Sequence, residues 1–451
     1  MLEVLWSLAA FIITLGVLVT FHEFGHFWVA RKCGIKVLTF SVGFGKPIWQ
    51  RQGKDGTTYQ VSRIPLGGYV RMLDERVDEV SAADQPYSFN SKPVWQRAAV
   101  VAAGPVANFI LAIAVLWLMF LLGVPSVKPV IGNVTPNSVA AQVELTTPSE
   151  IIAVNGQRTD DWQQVNLAFA GALGDAAAQL TVRDAQQRER TLTLDINDWR
   201  LGDEQVPTFV ALGFEPFQPE VFTELAYIEE NSPAAQAGLR EGDKIVAFDG
   251  TLMDSWSQIR DAIMAAPAAD ITLTVERQGV TEQLAVTLGA REFDGQRYGY
   301  LGVEPAREAY PDDYRFVQQY GIVDGLVKGA ERTWNLMVLS VKMIGKLLTG
   351  TVSVTNLSGP VAIAEGAGVS ASYGLVYFLG FLALISVNLG IINLLPLPML
   401  DGGHLVFLAI EGARKKAVSE RVQEISYRIG GALIFALMVI AISNDVLRLL
   451  R

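Results

Sequence analysis

Four apolar stretches constrain the fold of this chain most strongly, because a bilayer span needs roughly 20 apolar residues. They lie at about residues 4–26, from Arg97, from Tyr373 and, in a shorter run, from Ile429. Half of the 451 residues are apolar and 18% are charged, which favours a protein with both membrane and soluble parts. The sequence therefore predicts four transmembrane helices.

Charge, cysteine content and the N-terminus exclude several classes of protein. The net charge of −10 argues against a nucleic-acid partner. The single cysteine, Cys33, excludes an intramolecular disulfide and a cysteine-rich zinc site. The alternative that the first stretch is a signal peptide is disfavoured, because it has no basic n-region and no small-residue cleavage site follows.

The distribution of Lys and Arg predicts the orientation of the helices. Eleven basic residues from Arg31 to Arg97 lie between the first two stretches, and five from Arg414 to Arg428 lie between the last two. The positive-inside rule places both loops in the cytoplasm. Both termini and residues 124–372 then face outward.

The outward segment contains an internal repeat. NSVAAQVELTTPSEIIAVNG (137–156) aligns without a gap with NSPAAQAGLREGDKIVAFDG (231–250), and Trp162 falls on Trp256 at the same offset. Runs such as ITLTVERQG alternate in the manner of strands. Such self-similarity predicts two copies of one β-rich unit.

The second copy resembles a bacterial, circularly permuted PDZ domain, a class that binds a peptide C-terminus or extended segment by strand addition. The sequence predicts LGFEPF (212–217) as its ligand-binding loop, with Leu212, Gly213 and Phe214 as binding residues. The first copy departs from this pattern, since Gly238, Gly242 and Asp243 are replaced by Glu144, Pro148 and Ser149. Its role is open between peptide binding and a spacer or steric filter.

Two further segments complete the layout. Two β-patterned runs flank Asp55 and Gly56 and predict a hairpin over residues 37–72. It is either a plain cytoplasmic hairpin or a strand edge lying against the membrane near residues 21–26. Residues 331–348 are apolar at helical spacing with interspersed basic residues, which predicts an amphipathic helix on the outer membrane face. The Gly-rich NLSGPVAIAEGAG after it is predicted to be a loop.

FHEFGH (21–26) places ionisable side chains at the end of the first stretch. On a helix, His22 and His26 lie one turn apart on the same face, where two imidazoles can hold one metal ion with Glu23 beside it. The alternative is a chance match. A carboxylate within a membrane costs about 2.5–3.5 kcal/mol even on lenient scales, which favours a functional site.

A catalytic zinc site uses three protein ligands and one open position. The third ligand is either His404 or a carboxylate, and both occur in NLLPLPMLDGGH (393–404). Pro396 and Pro398 break the third stretch, and Asp401 is its one carboxylate. We favour Asp401, because its burial without a cation would be costly, and assign His404 a supporting role. A kinked helix end without function is the alternative.

FHEFGH on a first transmembrane helix together with NLLPLPMLDGG on a late one resembles the site-2 protease family of intramembrane zinc metalloproteases. The resemblance implies one Zn²⁺ per chain, held by His22, His26 and Asp401, with Glu23 as the catalytic acid and base. It also implies that Asn393 and Pro396 shape the substrate site.

The resemblance implies an α-helical polytopic membrane domain with four transmembrane helices and a membrane-associated β-hairpin, plus two tandem PDZ-like β-rich extracytoplasmic domains. The predicted divisions are residues 1–123 (first two helices and hairpin), 124–220 (first PDZ-like unit), 221–310 (second unit), 311–372 (amphipathic helix and loop) and 373–451 (last two helices).

The implied function is cleavage of the transmembrane segment of a pre-trimmed single-span protein in a bacterial inner membrane. The implied substrate is an anti-sigma factor, whose release activates an envelope stress response. An unwound substrate would pair with the hairpin edge near Gly43 and Gly45, and the PDZ pair would control access. The alternatives are a catalytically inactive membrane PDZ scaffold or quality-control receptor, and a metal transporter.

Overall fold

The computed structural model describes residues 2–197, 199, 206–293, 296–356 and 358–449. The chain begins with α1 (Leu2–Lys32), continues through β1 (Val37–Gln52) and β2 (Thr58–Met72), and enters α2 (Val94–Leu122). β1 and β2 pair antiparallel, which confirms the predicted hairpin. The turn between them is closed by Asp55, whose carboxylate accepts hydrogen bonds from the backbone and hydroxyl of Thr57.

The first repeat unit follows the short strand β3 (Val124–Val127), which belongs to a separate two-stranded sheet. The elements of this unit are β4 (Val130–Val134), β5 (Ser149–Val154), β6 (Gln157–Arg158), α3 (Trp162–Ala172), β7 (Ala177–Asp184), β8 (Glu189–Asp195), α4 (Thr208–Ala211) and β9 (Phe214–Pro216). The sheet order is β8-β7-β5-β4-β9, with β6 beside β5. Phe169 of α3 and Phe214 of β9 stack in a fully buried core, so the helix covers one face of the sheet.

The second unit has its own core and the same topology. Its elements are β10 (Val221–Ile228), α5 (Pro233–Gln236), β11 (Lys244–Phe248), β12 (Thr251–Leu252), α6 (Trp256–Ala265), β13 (Asp270–Arg277), β14 (Val280–Thr287), β15 (Gly289–Phe293), β16 (Gln296–Tyr300) and β17 (Val303–Arg307). The order β14-β13-β11-β10-β17, with β12 beside β11, repeats the order of the first unit strand for strand. The internal repeat is therefore structural.

The two repeated helices begin in the same way. Asp161 precedes α3 and accepts a hydrogen bond from the backbone N–H of Gln164, while Ser255 precedes α6 and accepts one from Gln258. A short polar side chain at this position satisfies an N–H group that has no partner within the helix. This shared cap explains why the repeated tryptophans both stand at the first residue of a helix.

The assignment of LGFEPF (212–217) to the second unit is wrong. Leu212 and Phe214 are fully buried in the core of the first unit, and β9 pairs with β4. Its counterpart in the second unit is LGVEP (301–305), where Leu301 is buried in that unit's core and β17 pairs with β10. In each unit this segment is the last strand and pairs with the first strand of the same unit. LGFEPF therefore belongs to the first unit, although it stands next to the second repeat in the sequence.

The second unit carries an ion pair that the first copy lacks. Asp243 is almost fully buried, and its carboxylate lies 2.7 Å from the guanidinium of Arg277. Burial alone would raise the pKa of Asp243, but hydrogen bonds from Arg277 and from the backbone N–H of Arg240 hold it below its ordinary value. The equivalent residue of the first copy, Ser149, cannot form this pair.

The remaining elements return to the membrane helices. They are β18 (Arg315–Gln318), α7 (Ile322–Leu348), α8 (Pro360–Ser372), α9 (Leu375–Leu394), α10 (Asp401–Arg414) and α11 (Glu420–Leu449). β18 pairs with β3, so the chain leaves the two repeat units beside the point where it entered them. α7 contains the predicted amphipathic helix and begins nine residues before it.

Residues 360–372 form α8, so the predicted Gly-rich loop is largely a helix and that prediction is wrong. Pro360 stands at the first helical position, where the absence of an N–H group costs nothing. Asp445 of α11 accepts hydrogen bonds from the backbone N–H groups of Gly359, Val361 and Ala362. A side chain 84 residues downstream therefore caps this helix, and local composition cannot reveal that.

Four helices of the described chain are long and apolar enough to cross a membrane: Val4–Lys32, Val94–Leu122, Leu375–Leu394 and Glu420–Leu447. This confirms the predicted number of such helices. The third ends at Leu394, and Asp401 opens α10, so Asp401 does not lie at the end of the third span as predicted. The prolines between them deprive the backbone of donors and separate two helices.

Candidate metal centre

Two histidines of α1 face α2. Their ring nitrogens His22 Nε2 and His26 Nε2 lie 3.2 Å apart, and their ring centroids lie 4.8 Å apart. The side chains of His22 and His26 are 11% and 12% exposed. The four-residue spacing of HEFGH thus produces the pair of converging imidazoles that the sequence predicts.

α10 brings a carboxylate to the same point. Asp401 Oδ2 lies 3.2 Å from His22 Nε2 and 3.6 Å from His26 Nε2. The preceding turn includes Met399 with a φ of +93°, a backbone conformation that costs a non-glycine residue about 1–3 kcal/mol. Further along α10, Glu411 forms a partly buried, bidentate ion pair with Arg97 of α2. That pair fixes the helix carrying Asp401 against α2.

The donor atoms of this cluster are arranged so that they could hold a cation. His26 Nδ1 lies 2.8 Å from the carbonyl oxygen of Val100, which can only accept, so Nδ1 carries the proton and Nε2 presents a lone pair. Asp401 Oδ2 is buried, and the Nε2 atoms of the two histidines lie 3.2 Å and 3.6 Å from it. Three donor atoms, one from each of His22, His26 and Asp401, lie within 4.8 Å of one another. Two imidazoles and a carboxylate are a donor set that fits zinc.

Glu23 lies beside this cluster and under the hairpin. Gly68 of β2 passes so close to α1 that a Cβ there would lie 3.1 Å from Glu23 Cγ and 2.9 Å from Val19 Cγ1. Glu23 is half-buried and near enough to both histidines and Asp401 to interact electrostatically with them. The hairpin therefore lies next to α1 at the start of the 21–26 motif. That its strand edge also lies against the membrane stays a prediction.

The remaining predicted site residues lie at varying distances from the cluster. His404 is exposed, and its Nδ1 lies 3.5 Å from the hydroxyl of Tyr427 on α11, outside the group that could share an ion. Asn393 is half-buried in the last turn of α9, and Pro396 is exposed in the turn that follows. Gly43 and Gly45 both have positive φ near the middle of β1. Their roles in substrate binding stay predictions.

α2 contributes to the cluster in a way that no sequence motif predicted. Val100, Gly104 and Asn108 follow one another at four-residue spacing and therefore share the face that meets the two histidines. Val100 accepts from His26, and Asn108 Nδ2 lies 3.2 Å from His22 Nδ1. The available signal was Asn108 itself, an amide within an apolar span, one turn after a glycine.

Gly104→Ala is expected to disrupt the cluster. A Cβ at Gly104 would lie 2.8 Å from His22 Cε1 and closer still to His26 Nε2, so both rings would have to move. Such overpacking costs about 1–3 kcal/mol, and we expect at least a tenfold loss of metal affinity, measured by competition with a chelator. Gly16→Ala in α1 is the control, because nothing lies within 4 Å of a Cβ there. Equal affinity of both variants would contradict the close approach of α2.

The sequence model of peptidase family M50 matches residues 10–437, which is nearly the whole chain. The chain belongs to peptidase family M50. This M50 peptidase is 49% identical over 100% of both chains to a Vibrio cholerae protein provisionally named a zinc metalloprotease. It is 48% identical, again over 100% of both chains, to the regulator of sigma-E protease RseP of Salmonella typhimurium.

A solved structure aligns with part of this M50 peptidase. The PDZ domain of an SdrC-like protein from Listeria monocytogenes is 21% identical, covers 20% of this chain and 92% of its own, and gives a TM-score of 0.17. At that TM-score the likeness does not establish the domain class of either repeat. The family assignment, by contrast, supports a metalloprotease. The donor set of His22, His26 and Asp401 fits that assignment.

Proposed function

We propose that this protein is an intramembrane zinc metalloprotease of the site-2 type. The observation that carries the proposal is the convergence of His22, His26 and Asp401, with Glu23 beside them. The two histidines and Glu23 lie on a helix long and apolar enough to cross a membrane, and Asp401 opens the helix that follows another such helix. His22, His26 and Asp401 would hold one zinc ion. When bound, zinc acts as a Lewis acid that polarises a peptide carbonyl and acidifies a water molecule.

Glu23 acts as the general base and then the general acid. Its position one residue after His22 places the carboxylate at the edge of the donor set, where it takes a proton from water and returns it to the leaving amine. Because Gly68 lies over Glu23, the hairpin limits how far this side chain can move. The half-burial of Glu23 keeps bulk water from solvating the carboxylate fully.

The hairpin provides a place for an unwound substrate. A transmembrane helix hides its carbonyl groups in its own hydrogen bonds, so it must open before it is cleaved, and the freed groups need partners within the membrane. In the described chain residues 39–42 of β1 pair with β2 on both sides, whereas residues 68–71 of β2 have a strand partner on one side only. This open edge of β2 begins at Gly68, next to Glu23. We assign Gly43, Gly45, Asn393 and Pro396 to the surface that holds the extended segment.

The cluster lies toward the cytoplasm, and the outward units control access. Positive charge next to α1, α2 and α10 supports this orientation, and the repeated strand order with LGFEP and LGVEP at equivalent places supports two PDZ-like units. A large outer domain on a substrate would collide with these units. The substrate we propose is a pre-trimmed anti-sigma factor, in keeping with the name of the Salmonella relative.

Cleavage in proteoliposomes tests this function. Two single-span substrates share one transmembrane segment, and one of them also carries a folded outer domain. We expect cleavage within the span of the short substrate, its loss with a chelator, and at least tenfold slower cleavage of the long one. Equal rates would contradict the proposed access control. Cleavage confined to residues outside the span, or no cleavage, would contradict the intramembrane protease.

A further inference from the structure

Asn108 is the buried polar side chain of α2 that the proposed mechanism leaves without a role. It is fully buried, and its side chain meets His22 on the side opposite Asp401. The backbone carbonyl of the same residue accepts a hydrogen bond of 2.8 Å from the hydroxyl of Ser386 on α9. That contact joins the two helices without needing an amide side chain, so packing of α2 on α9 does not explain why the residue is Asn.

Of the two polar atoms of the Asn108 carboxamide, one has a hydrogen-bond partner among the described residues and the other has none. Asn108 Nδ2 lies 3.2 Å from His22 Nδ1, whereas Oδ1 is buried and has no hydrogen-bond partner among the described residues. A buried polar atom without a partner costs about 1–3 kcal/mol. Because the two ends of a carboxamide have nearly the same shape, the chemistry of the partners decides which end faces them.

The chemistry of His22 decides in favour of the oxygen. If Nδ2 donated to Nδ1, a neutral imidazole would carry its proton on Nε2, the atom that faces Asp401 and His26. A protonated Nε2 cannot bind a metal ion. With the carboxamide turned by half a turn, Oδ1 accepts from Nδ1–H, and Nε2 offers its lone pair to the cluster.

His26 shows the same arrangement with a different acceptor. Its Nδ1 donates to the carbonyl oxygen of Val100, two turns before Asn108 on the same face of α2. One helix thus carries both acceptors, a backbone carbonyl for His26 and a side-chain oxygen for His22. Metal-binding histidines commonly donate their second ring N–H in this way, which fixes the ring and strengthens the ligand.

We propose that Asn108 is a positioning residue whose side-chain oxygen accepts the Nδ1 proton of His22 and so directs His22 Nε2 toward Asp401. The inference rests on the proposed function, because it needs His22 to bind zinc through Nε2. It makes zinc binding depend on a residue of α2, in addition to the residues in the motifs on α1 and α10.

The test compares Asn108→Asp with Asn108→Leu in the full-length protein in detergent. Aspartate keeps the acceptor and removes the donor, whereas leucine has a similar volume and removes both. Zinc affinity is measured by competition with a chromogenic chelator, and folding is followed by thermal unfolding of the zinc-free protein. We expect a roughly 10–100-fold loss of zinc affinity in Asn108→Leu and wild-type or tighter affinity in Asn108→Asp.

The outcomes separate the positioning role from the proposed function. Equal losses in both variants would show that the donor or the amide shape matters, and would overturn the inference. Wild-type affinity in Asn108→Leu would overturn it as well. If Asn108→Leu fails to fold, Asn108→Asp still decides, because a required donor would be lost there too. Absence of zinc from the wild-type protein would instead overturn the proposed function.

Discussion

Glu23→Gln is expected to abolish peptide-bond cleavage while leaving one zinc ion bound per chain. Glutamine has nearly the shape of glutamate but cannot take a proton from water, so the ligands stay in place and the acid–base step is lost. General acid–base catalysis contributes about 10²–10⁴-fold to rate, and we expect a loss in that range or below detection. The measurements are cleavage of a single-span substrate and metal analysis of the same preparation.

Glu365→Gln is the matched control for this prediction. Glu365 is an exposed residue of α8. This helix packs against the N-terminal end of α1 at Ser7, whereas the cluster lies near the C-terminal end of α1. We expect wild-type cleavage from that variant. Unchanged cleavage in Glu23→Gln would contradict the role of Glu23, and loss of zinc from it would mean that Glu23 is needed to form the site.

Asp401→Asn is expected to lose zinc and activity together. The variant removes the negative charge that faces the two imidazoles, whose nitrogens lie 3.2 Å and 3.6 Å from Asp401 Oδ2. The loss of zinc affinity should exceed the roughly 10–100-fold that removal of an outer hydrogen-bond partner costs. Competition with a chelator measures the affinity, and cleavage of the same single-span substrate measures the activity.

His404→Gln separates the two ligands that the sequence left open. His404 lies three residues after Asp401 on α10 but contacts Tyr427 instead of the imidazole pair. We expect His404→Gln to retain one zinc ion per chain. The opposite pattern, zinc retained in Asp401→Asn and lost in His404→Gln, would contradict the donor set.

Local sequence patterns predicted those parts of the structure that depend on local physics. Length and hydropathy alone give the spans, since each must satisfy its backbone hydrogen bonds within one segment. The four-residue spacing of His22 and His26 gives a shared helix face, and Asp55–Gly56 between alternating runs gives a hairpin. The repeat around Trp162 and Trp256 was visible because both copies retain the same cap and core pattern.

The errors concern contacts between residues distant in the sequence. LGFEPF completes the first unit's sheet although it stands next to the second repeat, and only the pairing of β9 with β4 reveals this. α8 is capped by Asp445 from the last helix, and a Gly-rich composition alone suggested a loop. Asn108 reaches His22 from 86 residues away. No spacing rule links these positions, because the packing of separate helices and strands brings them together.

X-ray absorption at the zinc edge of the purified full-length protein tests the central claim most directly. The account predicts one zinc ion per chain with two imidazole nitrogens and oxygen as the remaining ligands. A third imidazole would place His404 at the metal, and a sulfur ligand would place Cys33 there. Either result, or protein that is active without zinc, would contradict the proposed centre of His22, His26 and Asp401.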